Sequence, residues 1–287
     1  MLKLFHISDL HFGEVYVPKV GQAVRRLANR LDLDVIVASG DFTQHAREEE
    51  FVAAREFLAS LPDVPLVVTP GNHDIPPRWQ FRDFWTPFAL YRKHIHTELD
   101  YAVSLEDIQI VSLNSTSWLG SLVPGRLTSQ QLRFCESRFQ DGTPEQVRVV
   151  VIHHHIAPAP GWNGGGEMGN AKRTLQHLTD LKVDMILAGH KHRAYIGNSL
   201  DFYSGDRSHG ITFVQCGTTT SRRGRGAERE KNTLNVITVD EDILAVTHYM
   251  YFSEVDDFRV TGKHLFPRSL QGPLGQPAGE EGLEKQR

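Results

Sequence analysis

The chain has 287 residues, 40% of them hydrophobic and 23% charged, and its formal net charge is −4 with histidine counted neutral. No apolar run approaches the ~20 residues of a membrane-spanning helix, and the slight acidity gives no global support for non-specific binding to nucleic acid. The two cysteines, Cys135 and Cys216, lie far apart and exclude both a disulfide framework and a thiolate metal site.

Residues 2–7 read as a buried strand and 8–13 as the loop after it. No charged-then-apolar leader precedes that strand, so the expected location is the cytoplasm. Apolar residues at Val20, Ala23, Val24, Leu27 and Leu31 have helical spacing over 17–31. Residues 34–38 form a second strand, ending in Ser39-Gly40-Asp41. Residues 48–59 are helical, with Phe51, Ala54, Phe57 and Leu58 on one face. The apolar run 65–70 is a third strand, and Gly71-Asn72-His73-Asp74 follows it. This strand-helix-strand-helix-strand order implies a partly parallel sheet with right-handed crossovers.

Further on, 79–94 is aromatic-rich and predicted helical. Its Trp79, Phe81, Phe84, Trp85 and Phe88 fit core packing better than a substrate lid. A hairpin joins 101–103 to 108–113. Thr128 and Gln131 are spaced as a capping box at the start of a helix over 128–139. The strand 147–152 ends in His153-His154-His155. A loop holds Gly164-Gly165-Gly166, a helix spans 171–178, and the strand 183–188 ends in Gly189-His190-Lys191-His192. Short strands without helices then follow at 212–215, 233–239 and 243–251, and suggest an antiparallel second sheet. Residues 272–287 carry Pro, Gly and charge without aromatics and read as a disordered tail, leaving 1–271 as one domain.

Five strand ends thus carry polar groups: Asp9 and His11; Asp41; Asn72 and His73; the His153 run; His190 and His192. Histidine, carboxylate and amide donors without thiolates suit Mn, Fe, Zn, Co or Ni. They are too many for one ion. Two ions need a shared carboxylate, and a metal pair is the usual hydrolytic clamp on phosphates.

Asp9-Leu10-His11, Gly40-Asp41, Gly71-Asn72-His73-Asp74, His153-His154 and Gly189-His190-Lys191-His192 resemble, in order, the five motifs of calcineurin-like metallophosphoesterases. The resemblance implies an α/β fold, a four-layer αββα sandwich of two mixed sheets, with a dinuclear metal site at the strand ends. Carried over by motif, Asp9, His11 and His192 hold the first metal, Asn72, His153 and His190 the second, and Asp41 bridges both. His154 is the alternative to His153, because the family often reads His-His-Pro there and this chain has His153-His154-His155. His73 is then the donor to the leaving oxygen, and Asp74 orients it. The metals expected are Mn or Fe, with Zn, Co or Ni as further options.

The residues after Gly40-Asp41 bear on the substrate. Phe42-Thr43-Gln44 lacks the Val-Asp-Arg-Gly of the phosphoprotein phosphatases, the acidic residue of the break-repair nucleases and the acidic-aromatic motif of the lipid A precursor hydrolases. It most resembles the bacterial class III cyclic-nucleotide phosphodiesterases. The implied function is hydrolysis of cyclic nucleotides or other small phosphodiesters by a hydroxide that two metals activate. A nuclease is the rival, because Arg222, Arg223 and Arg225 stand on a glycine-containing loop, expected to be flexible, that could grip a DNA or RNA backbone. A non-catalytic scaffold of the same fold is the third reading.

Overall fold

The computed structural model describes residues 1–76, 86–117, 124–157, 168–201 and 209–268. Two six-stranded sheets stack face to face. The first contains β1 (Leu2–Ile7), β2 (Val35–Ala38), β3 (Leu66–Val68), β10 (Thr233–Val239), β11 (Ile243–Phe252) and β12 (Asp257–Pro267), in the order β12-β11-β10-β1-β2-β3. The second contains β4 (Tyr101–Ser104), β5 (Ile108–Ser112), β6 (Val147–Val151), β7 (Met185–Ala188), β8 (Tyr195–Asn198) and β9 (Thr212–Gln215), in the order β4-β5-β6-β7-β9-β8. Both are mixed. β1-β2-β3 and β5-β6-β7-β9 are parallel runs, flanked by antiparallel strands.

Side-chain alternation makes the layers. Leu2, Leu4, Val35, Val37, Val149, Val151, Met185 and Leu187 form the dry core between the sheets. The intervening Phe5, Ile7, Ile36 and Ala38 face outward onto α1 (Pro18–Arg30) and α2 (Glu48–Ala59), meeting Val20, Val24, Leu27, Phe51 and Phe57. On the opposite side Val150, Ile186 and Ala188 pack against Leu132, Cys135 and Phe139 of α4 (Ser129–Gln140) and Leu175 and Leu178 of α5 (Ala171–Asp180). The result is helix, sheet, sheet, helix. The predicted capping box closes α4, with Gln131 N–H donating to Thr128 Oγ1 and Thr128 N–H to Gln131 Oε1.

One expectation needs correcting. The strands after residue 211 do not form an antiparallel sheet of their own. β9 inserts beside β7 in parallel, and β10 to β12 extend the first sheet through antiparallel pairing of β10 with β1. The short strand β8 and the eleven-residue β12 were not predicted from the sequence. Residues 77–85, with four of the five aromatics named above, lie outside the described residues, which resume before α3 (Ala89–His94). The glycine run 164–166 and the tail 272–287 also lie outside them.

Candidate metal centre

All parallel strands of both sheets point their C-terminal ends toward one edge, so the loops after β1, β2, β3, β6 and β7 converge there. The first two loops continue as a parallel pair beyond the sheet. Asp9 N–H donates to Gly40 O at 3.0 Å, His11 N–H to Asp41 O at 3.0 Å and Phe12 N–H to Phe42 O at 2.8 Å. These loops are sharply turned. Asp9, His11, Asp41, His190 and His192 all adopt left-handed φ, between 48° and 75°. Non-glycine residues avoid this region unless surrounding structure enforces it, and such strain gathers at functional sites.

Asp9, His11, Asp41 and His192 form one group, with a donor atom from each lying within 4.8 Å of the others. Asp9 Oδ1 is 3.6 Å from His192 Nε2 and 3.8 Å from His11 Nε2. Asp41 Oδ2 is 3.5 Å from His11 Nε2 and 3.4 Å from His153 Nε2, and so stands between this group and a second one. In the second group Asn72 Oδ1 lies 3.2 Å from His153 Nε2 and 2.9 Å from His190 Nδ1. The seven residues read from the motifs as ligands are therefore one contiguous cluster. His153 turns its Nε2 into it, and the His154 ring lies beside it, 4.4 Å from the His190 ring. The His154 ring turns its Nδ1 to Ser115 Oγ at 3.0 Å.

The cluster is buried and electrically incomplete. His11 Nδ1 and Nε2, Asp41 Oδ2 and His192 Nδ1 make no hydrogen bond among the described residues, although each residue is at most 2% exposed. Unpaired buried polar atoms cost free energy, and several around one point call for a partner. Burial keeps the His11 and His190 imidazoles neutral and holds His192 down to about 3, despite the Asp9 carboxylate beside it. Neutral imidazole is the ligating form. Burial opposes the ionised Asp41, but His153, His73 and His11 around it hold its carboxyl well below the usual range. The same attraction overcomes burial at His153 and lifts that imidazole to about 9. The neutral imidazoles and the ionised Asp41 fit a cationic guest held by nitrogen and oxygen donors, and His153 must shed its proton to join them. The described cysteines are both buried and free, and neither belongs to the group.

Surrounding groups fix the donors. Ser39 O accepts from His153 Nδ1 at 2.8 Å, which leaves Nε2 to face the cluster. Ser8 Oγ and the His190 N–H donate to the Asp9 carboxylate at 2.7 and 3.0 Å. Gly40 has φ +94°, and a Cβ there would sit 2.6 Å from His153 Nδ1. Gly40→Ala should therefore lower the unfolding free energy by about 2 kcal/mol. The check is a fall in the urea midpoint at an unchanged slope.

Two expectations change here. Asp74 does not orient His73. Its carboxylate is turned back into its own turn, accepting Thr43 N–H at 2.9 Å, Thr43 Oγ1–H at 3.0 Å and Gly71 N–H at 2.8 Å. Burial and the neighbouring Asp41 raise Asp74 to about 7. His73 instead contacts Gln44 O through Nδ1 at 2.9 Å, and Arg223 Nη1 lies over its ring, 3.0 Å from Nε2 and 3.5 Å from Nδ1. The carbonyl only accepts, so Nδ1 carries a proton.

The second change concerns the arginine loop, whose beginning is fixed in place. Thr218, Thr219, Thr220 and Ser221 are at most 1% exposed. Thr218 Oγ1 donates to Asp9 O, Thr220 Oγ1 to Leu10 O, and Thr219 Oγ1 accepts Ser8 N–H, so this segment clamps the first ligand loop. Of the three arginines, Arg223 is half-buried against His73 and Gln44, while Arg222 and Arg225 are exposed. Ser8, Ser39, Gln44 and the threonine clamp escaped the sequence reading. Their only signal was adjacency to a motif, and a serine or threonine run usually means a loop.

The chain matches the family model described as calcineurin-like phosphoesterase over residues 2–194. It is 27% identical over 165 residues to the 3',5'-cyclic adenosine monophosphate phosphodiesterase CpdA of Haemophilus influenzae, covering 56% of this chain and 56% of that protein. It is 28% identical over 165 residues to the glycerophosphodiester phosphodiesterase GpdQ of Enterobacter lignolyticus, covering 54% and 57%. The match thus spans little more than half the length of these relatives. Among solved structures, a purple acid phosphatase from yellow lupin superposes with a TM-score of 0.69 at 15% identity, over 93% of this chain and 54% of the lupin chain, which speaks to the fold alone. The match over residues 2–194 takes in all seven clustered residues and two thirds of the chain, and this chain belongs to the calcineurin-like phosphoesterase family.

Proposed function

We propose that this protein is a metal-dependent phosphodiesterase acting on small phosphodiesters, with cyclic nucleotides as the first class to test. The observation that carries the reading is Asp41. Its carboxylate has one oxygen that makes no hydrogen bond, and that oxygen stands within 3.5 Å of imidazole nitrogens from two separate groups. A shared carboxylate of this kind is what a metal pair requires. Matches to proteins named as a cyclic AMP phosphodiesterase and a glycerophosphodiester phosphodiesterase support small diesters as the substrate class.

In this reading Asp9, His11 and His192 hold one ion, Asn72, His153 and His190 the other, and Asp41 touches both. Two such ions, when bound, supply Lewis-acid charge to phosphoryl oxygens and make hydroxide available near neutral pH. Mn or Fe suits the donors best, and Zn, Co or Ni is also compatible with them. The protein's own part is to keep His11, His190 and His192 neutral through burial and to orient His153 through Ser39 O behind it. Arg223 donates to the phosphoryl oxygens, and His73 supports Arg223 from behind. Asp74 keeps the turn that carries Asn72 and His73 in shape. No helix among the described residues is long and apolar enough to cross a membrane.

The test is a substrate panel on metal-stripped protein reloaded separately with Mn, Fe, Zn, Ni and Co. Turnover of bis-p-nitrophenyl phosphate and of cyclic AMP or 2',3'-cyclic nucleotides, with single- and double-stranded DNA left intact, is the expected result. Cleavage of DNA without turnover of small diesters would move the assignment to a nuclease. Two bound metals with no hydrolysis anywhere in the panel would favour a scaffold.

A further inference from the structure

One residue beside the site has two contacts that the proposed chemistry leaves unexplained. Gln44 accepts the His73 Nδ1–H with its main-chain carbonyl at 2.9 Å, and accepts Arg223 Nη1–H with its side-chain Oε1 at 3.0 Å. The same Nη1 lies over the His73 ring, 3.0 Å from Nε2 and 3.5 Å from Nδ1. Gln44, His73 and Arg223 thus close a ring of three contacts, two of them hydrogen bonds to Gln44 whose roles are fixed by chemistry, because a guanidinium only donates and a carbonyl only accepts.

The ring has a directional consequence. Every side-chain hydrogen bond that Arg223 makes to a described residue starts from Nη1. Nη2 and Nε remain as a pair of parallel donors along the other edge of the guanidinium, the arrangement that matches two oxygens of one phosphate. The ring also has a consequence for charge. A carboxylate at position 44 would accept from Nη1 equally well but would cancel the guanidinium's charge. The neutral amide of Gln44 holds the group and leaves that charge available to a ligand.

We propose that Gln44 is a positioning residue that aims the free edge of Arg223 at the substrate phosphate, and that its neutrality sets the affinity of the site for anionic phosphodiesters. This rests on the phosphodiesterase reading above. The guanidinium is half-buried with Asp41 and Asp9 among its near charges, so an anion bound at its free edge lies close to the ligand cluster.

The experiment uses metal-loaded wild-type protein, Gln44→Glu and Gln44→Met, each alone and combined with Arg223→Ala. KM and kcat are measured on bis-p-nitrophenyl phosphate, metal content by elemental analysis, and inorganic phosphate binding by calorimetry. Gln44→Glu should raise KM and the phosphate Kd about tenfold, with kcat within about threefold and metals at the wild-type level. Gln44→Met keeps the volume and the charge but loses the anchor, so its rise should be smaller, about threefold. In the Arg223→Ala background neither change at position 44 should matter by more than about twofold. An equal rise with and without Arg223, or identical values for Glu and Met, would mean that Gln44 only shapes the loop and would overturn the proposal. Should Gln44→Glu not fold, Gln44→Met in the same cycle gives the decision. An active wild type with unresponsive variants removes this inference alone. A wild type that neither hydrolyses diesters nor binds phosphate removes the phosphodiesterase reading and this inference together.

Discussion

Asp41→Asn should fold, lose both metal ions and lose at least roughly a thousandfold in turnover of small phosphodiesters. The fold should survive because asparagine has the same shape, and its amide oxygen can still accept the His73 N–H that Asp41 Oδ1 accepts at 2.8 Å. What disappears is the anion. Asp41 is held ionised by three surrounding histidines although burial opposes it, and its Oδ2 has no hydrogen bond to lose. An amide at that position brings no negative charge to two cations and offers one weak oxygen or a nitrogen donor where a shared carboxylate is needed. The measurement is elemental analysis beside steady-state rates. Full occupancy of two ions with wild-type turnover would remove Asp41 from the bridge and with it the main support for a metal pair.

His73→Ala should keep both metals and lower kcat by about a hundredfold, and it should do so equally for esters with good and poor leaving groups. The equality is the informative part. A group that protonates the departing oxygen matters most when that oxygen is basic. His73 turns Nδ1 to Gln44 O and its ring face to Arg223 Nη1, which it supports. Its removal therefore unseats the guanidinium, which acts on the phosphoryl oxygens whatever the leaving group. Comparing p-nitrophenyl and alkyl diesters gives the answer. A loss concentrated on alkyl esters would restore His73 as the donor to the leaving oxygen.

The sequence was informative about whatever depended on local order. Residues 2–7 and 48–59 form the strand and helix expected, because alternation and helical spacing are short-range patterns that burial then selects. The convergence of the five polar loops was legible because a parallel strand run must deliver its C-terminal loops to one edge. Long-range choices were not. Nothing in 233–239 distinguishes pairing with β1 from pairing with a new sheet, since both bury an alternating strand. Hydrogen-bond direction was also hidden. Asp74 next to His73 suggested a partner pair, yet the tight turn at Asn72–Asp74 points the two side chains apart. Three arginines in four residues looked alike, and only the tertiary position of Gln44 and His73 distinguishes Arg223. His153 and His154 could not be told apart from the sequence, because both follow the strand and both rings lie beside His190.

The threonine clamp and β10 bear on how this site could be moved between proteins. The family match ends at residue 194, and all seven ligand positions precede that point. It is nevertheless not a transferable cassette. β10, which begins at Thr233, lies between β1 and β11 in the first sheet, and Thr218 to Ser221 hold the backbone of Asp9 and Leu10. A chain cut at 194 would leave β1 as a raw edge and release the loop whose left-handed turns place Asp9 and His11. Grafting the site onto another scaffold, or shortening this one, therefore requires carrying a stretch that contains no ligand at all.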